Sequence, residues 1–80
     1  MKDKDIKITL KKWFKFKKKK IKENDDYFEK NIIDSLEVIH FIEYIENKFK
    51  IKLSSEDYQK RNFRTINGIA KIILEKKNEI

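Results

Sequence analysis

Residues 31–52 read NIIDSLEVIHFIEYIENKFKIK, and the reading of this stretch decides the fold. Asp34 is suited to a helix N-cap, and Glu37, three residues on, can reach back to it in a capping-box arrangement. An amphipathic helix is expected to follow. Val38, Ile39, Ile42, Ile45 and Phe49 recur at the three- and four-residue spacing of a single helical face. Glu37, His40, Tyr44 and Asn47 fall opposite, with Glu43 and Glu46 on the flanks. Ser35 lies in the first turn, where its hydroxyl is exposed beside backbone N–H groups with no partner inside the helix. A phosphate ester formed there would sit in the favourable field of the helix N-terminus.

Downstream, Ile51 and Leu53 lead into Ser54-Ser55-Glu56-Asp57, where Ser54 and Asp57 form a second capping pattern. It predicts a short helix over residues 55–61. Asn62-Phe63-Arg64 interrupts it, and Thr65 caps a last helix over 65–77 with Ile66, Ile69, Ala70, Ile73 and Leu74 as its apolar stripe. Gly68 inside that stripe costs up to about 1 kcal/mol relative to alanine, which points to close helix–helix approach rather than a hinge.

Upstream, Ile6, Leu10 and Trp13 or Phe14 have helical spacing and predict a first helix over 3–14. Asp3 and Asp5 near its start and Lys11 and Lys12 near its end suit the helix dipole. Beyond it Phe14-Lys15-Phe16 alternates, and Lys17 to Lys20 is a bare charge run expected in a solvated loop. Trp13, Phe14 and Phe16 are expected to face the core, because so small a domain needs them to fill it. Glu23 to Asn31 reads as a polar loop pinned by Tyr27 and Phe28. With no proline and a single glycine, tight β-hairpin turns are disfavoured and helices joined by polar loops are favoured. The expectation is an all-α fold, a small four-helix bundle with a short third helix.

Eighty residues make one domain, 1–80. The net charge of +7 is a property of the N-terminal quarter, since residues 1–22 hold eleven lysines against two aspartates and the remainder totals −2. Without cysteine there is neither a disulfide framework nor a thiolate metal site. No apolar run approaches the roughly 20 residues a membrane span needs, and residues 1–22 are too lysine-rich for a signal peptide. A cytoplasmic monomer is expected. Nor does the sequence offer an enzyme. His40 is the only histidine and lies five residues from Ser35 on a different azimuth, so no Ser–His pair forms. Metal-ligand spacings and a glycine-rich phosphate loop are missing as well.

The pattern Asp26-Tyr27-Phe28-Glu29-Lys30-Asn31-Ile32-Ile33-Asp34-Ser35-Leu36-Glu37 resembles the modification loop and helix start of acyl carrier proteins. The resemblance continues through Asn62-Phe63-Arg64-Thr65-Ile66 and covers roughly residues 5 to 75. It implies a non-catalytic carrier. A phosphopantetheinyl transferase would transfer 4'-phosphopantetheine from coenzyme A to Ser35, with Asp34 and Leu36 completing the motif. The thiol of that arm holds acyl or aminoacyl groups as thioesters for a loading enzyme and for downstream acyl-transfer enzymes. That suits a chain with no thiol of its own. The resemblance also implies partner contacts along the second helix through Glu37, Glu43 and Glu46. His40 and Tyr44 stand on that face where many fatty-acid carriers have an acid or a small residue, and the overall charge is positive where most are acidic. These departures favour a dedicated carrier of a specialised pathway, one loaded by an adenylating enzyme. An alternative reading is a small basic binding module, with residues 7–22 holding nucleic acid or an anionic membrane and the helices as scaffold.

Overall fold

The computed structural model describes residues 2–78. It is all-helical: α1 (Asp3–Phe16), α2 (Ser35–Phe49), α3 (Ser55–Gln59) and α4 (Ile66–Asn78), with a 3-10 turn at Arg61–Arg64. The expected four-helix bundle with a short third helix is what forms. α2 begins as the sequence predicts. The Asp34 side chain accepts from the Glu37 backbone N–H at 2.8 Å, and the Glu37 carboxylate accepts from the Asp34 N–H at 3.2 Å. Its end is set by Lys50 in a left-handed conformation at φ 56°, which stops the helix without a glycine. α3 is capped reciprocally by Ser54 and Asp57.

Several boundaries and faces differ from the sequence reading. α1 continues to Phe16 rather than stopping at residue 14, so Phe14-Lys15-Phe16 is helical and its alternation is accidental. Trp13 and Phe14 enter the core as expected, but Phe16, two positions on, points away and is 81% exposed. α3 ends at Gln59, two residues early, because the chain tightens into the 3-10 turn that seats Phe63 in the core. On α2 the buried residues are Val38, Phe41, Ile45 and Phe49; Ile42 is half-buried and Ile39 is exposed. The expected stripe was therefore rotated. Phe41 holds the inner position because three aromatic rings surround it, with centroid separations of 4.7 Å to Trp13, 5.0 Å to Phe14 and 5.9 Å to Tyr27. Offset and edge-on ring pairs of this kind add to ordinary apolar burial. On α4, Ile72 joins the buried set and Leu74 is half-buried.

Gly68 permits a close approach, though not of two α-helices. A Cβ there would overlap the carbonyl of Asn62, so it is the backbone of the 3-10 turn that lies against α4. The long connection from Lys17 to Asp34 is tied down near its middle. The Tyr27 N–H donates to the Arg64 carbonyl at 3.1 Å, the buried Tyr27 hydroxyl donates to the Phe63 carbonyl, and the Asn67 N–H donates to the Glu23 carbonyl at 3.0 Å. Burial of its ring and hydroxyl pushes the Tyr27 phenol well above its ordinary value, so it stays a neutral donor. Tyr27 thus anchors the loop as the sequence suggests, whereas Phe28 is 37% exposed and only flanks it.

Candidate functional site

Ser35 is the first helical residue of α2 and is exposed. Three features place it. Ile33, buried two residues earlier, fixes the incoming chain, and both Ile32 and Ile33 donate backbone hydrogen bonds to the Tyr27 carbonyl, at 2.9 and 3.4 Å. Asn31, at φ 54°, supplies the left-handed turn that leads the chain back to the Tyr27 carbonyl, a conformation asparagine tolerates better than most residues. The Asp34 capping box then uses the N–H of Glu37, leaving the N–H groups of Ser35 and Leu36 without an acceptor among the described residues. An exposed hydroxyl beside two free N–H donors at the positive end of a 15-residue helix can accept a phosphate ester favourably.

The neighbouring surface is apolar. Leu36 is 62% exposed and Ile39, one turn along the same side, is 53% exposed. The sequence reading counted Ile39 as core and so missed this stripe. The available signal was the crowding in Val38-Ile39-His40-Phe41-Ile42, where four apolar residues span too wide an arc to be buried together.

The acidic residues expected to contact partners divide. Glu43 is exposed, and its side chain makes no hydrogen bond or ion pair among the described residues. Glu37 is committed to the capping box, and Glu46 accepts from the Leu53 N–H at 2.8 Å, holding the chain that leaves α2. Both therefore have structural work within the chain. His40 is exposed, as expected. Tyr44 is not: it is half-buried, and its hydroxyl donates to the Thr9 carbonyl of α1 at 2.8 Å, with burial raising its phenol above the usual value. It is a tie between helices. Among the described residues no group of histidines and carboxylates could hold a metal ion.

An exposed helix-start serine, an acidic cap before it, a leucine after it and no cysteine anywhere fit a group that attaches through phosphate and brings its own thiol. Compared with known proteins, the chain matches the family described as phosphopantetheine attachment site over residues 4–73. The chain belongs to that family. It therefore belongs among the carrier proteins whose prosthetic group is 4'-phosphopantetheine, consistent with the helical fold. It is also similar to a D-alanyl carrier protein of Lactococcus lactis subsp. lactis (strain IL1403), with 37% identity over 54 residues, covering 68% of each chain. In this carrier α2 opens on the exposed Ser35. Leu36 and Ile39 are exposed beside it on the same helix.

Proposed function

We propose that this carrier holds aminoacyl or acyl groups as thioesters on a 4'-phosphopantetheine arm attached to Ser35. The observation that carries the reading is the exposed Ser35 hydroxyl at the first position of a capped α2, inside a chain that matches the attachment-site family over nearly its whole length. Attachment forms a phosphodiester between Ser35 Oγ and the pantetheine arm of coenzyme A, with the nucleotide part leaving. The arm supplies the thiol, and the protein positions it. Asp34 and Leu36 frame the attachment point, while Leu36, Ile39, His40 and Glu43 form the exposed face that a phosphopantetheinyl transferase, a loading enzyme and downstream acyl-transfer enzymes would touch.

The name of the Lactococcus lactis relative, D-alanyl carrier protein, supports an aminoacyl cargo, D-alanine first. The protein itself makes no bond. This reading places it in the cytoplasm, in keeping with the finding that no described helix is long and apolar enough to cross a membrane.

The test is intact mass after incubation with coenzyme A and a broad-specificity phosphopantetheinyl transferase, with Ser35→Ala beside it. The parent should gain one phosphopantetheine and the variant none. If a folded parent gained nothing, or if Ser35→Ala gained the same mass, Ser35 would lose its role.

A further inference from the structure

The lysines of the N-terminal quarter are left over by this function, and the structure gathers most of them on one surface. Ile8, Lys11, Lys12, Lys15, Lys19, Lys20 and Ile21 line a groove of about 480 Å³ along the outer side of α1. A second groove of about 500 Å³, between α1 and α2, shares Lys12 with the first and adds Phe16, Lys17 and Lys48 to its rim. Carboxylates are scarce here. Asp3 and Glu23 pair with Lys7, and Glu23 pairs also with Lys11, but Lys12, Lys15, Lys19 and Lys20 make no ion pair among the described residues. At the border of this basic surface, on the rim of the second groove, projects Phe16, 81% exposed at the end of its helix, while Ile8, 44% exposed on the same helix, lines the first.

We propose that the outer face of α1, from Ile8 to Lys20, docks this protein on an anionic lipid bilayer, with Phe16 as the inserted side chain. Charge complementarity is the first argument. A cluster of four to eight lysines on or beside an amphipathic helix attracts an anionic leaflet, each contributing independently while it stays within a Debye length of the surface. The residue types argue next. Every cation of the patch is lysine, and both arginines, Arg61 and Arg64, lie elsewhere. Protein interfaces are depleted in lysine and enriched in arginine, so a protein partner fits this surface poorly. Single-stranded nucleic acid is bound on several stacked aromatic rings, whereas Trp13 and Phe14 are buried and Phe16 alone is free. A lone exposed ring among flexible lysines matches an interfacial wedge, the ring in the acyl boundary and the ammonium groups at headgroup level.

The placement on the fold has a consequence. Tyr44 meets Thr9, and Trp13 meets Phe41, so α1 and α2 run in opposite directions. The Phe16 end of α1 is therefore on the side of the first turn of α2. A molecule docked through Phe16 holds that end of α2 beside the bilayer. This docking does not depend on whether Ser35 is modified.

The experiment is co-sedimentation of the full chain with vesicles of phosphatidylcholine alone and of phosphatidylcholine and phosphatidylglycerol in equal parts. Binding should be confined to the anionic vesicles and should weaken steeply as salt rises from about 0.05 to 0.5 M. Replacing Lys12, Lys15, Lys19 and Lys20 together by glutamine should lower affinity by at least about 100-fold, since each lysine near such a surface contributes a factor of roughly five. Replacing Lys50, Lys52, Lys60 and Lys71 instead removes the same charge from other faces and should cost less than about tenfold. Phe16→Ala, a surface change, should cost about tenfold from the lost apolar burial. Circular dichroism should show all variants folded. Equal losses from the two lysine sets, no effect of Phe16→Ala, or tighter binding to a single-stranded oligonucleotide than to the anionic vesicles would each overturn the proposal.

Discussion

At the scale of single residues, the molecule turns on positions where one atom more or less matters. Gly68 is one. It lies in α4, where glycine is intrinsically unfavourable, because its missing Cβ leaves room for the Asn62 carbonyl. Gly68→Ala gains at most about 1 kcal/mol of helix propensity, while the clash with backbone that cannot rotate away costs roughly 1–3 kcal/mol or more. The variant should be less stable than the parent, read as a lower urea midpoint at unchanged slope. An unchanged or raised midpoint would mean the 3-10 turn is free to move away from α4. Ser35 is the opposite kind of residue. It is exposed, so its replacement should alter modification and leave stability within about 0.5 kcal/mol.

Among the helices, α2 holds the site through its start and its inner face. The start is governed by Asp34. Removing its carboxylate orphans the Glu37 N–H and dissolves the capping box, which in other helices costs about 0.5–2 kcal/mol. For a domain of this size each kcal/mol lowers the melting midpoint by about 4–8 °C. Asp34→Ala should therefore melt several degrees below the parent, and Asp34→Ser, which can still cap, should recover most of the difference. If the two variants melted together, the cap would not be what holds this end of α2. The inner face is governed by Phe41 and its ring neighbours, and that packing turns Leu36 and Ile39 outward to make the apolar border of the site.

Across the whole molecule, a buried charge joins the short elements to the last helix. Asp57, only 4% exposed, accepts from the Ser54 N–H at 2.7 Å and from the Ser54 hydroxyl at 3.0 Å, and pairs with Lys76 near the end of α4 at 2.8 Å. Burial is the largest influence on its carboxyl and opposes ionisation, but the Lys76 hydrogen bond and the two Ser54 donors together outweigh it. The carboxyl is held below its ordinary value of 3.8. A folded-state value below the unfolded one contributes stability that is present above the unfolded value and lost as pH falls through the folded one. Denaturation midpoints of the parent should thus hold near neutral pH and decline below about pH 3.8. Asp57→Asn should be less stable at pH 7 and show a shallower acid limb. Parallel acid limbs in the two proteins would assign the decline to other carboxylates. Glu23 and Asp25 are lowered in the same direction, by hydrogen bonds from Lys11 and Lys30, but stand at the surface where solvent screens them.

What the sequence determined by itself was local. Both capping boxes, the four helices, the serine at the first position of α2 and the asymmetric charge could be read directly, because each rests on neighbours within about one helical turn. Helix ends were less exact, since Phe16 and Gln59 lie where propensity is indifferent and packing chooses the stop. Tertiary structure alone decided which of the adjacent apolar residues in Val38-Ile39-His40-Phe41-Ile42 turned inward, because the choice belongs to Trp13, Phe14 and Tyr27, more than ten residues away. It also ties the half-buried Tyr44 to α1 and the half-buried Glu46 to Leu53. Faces depend on what covers them, and only the folded chain brings the cover into place.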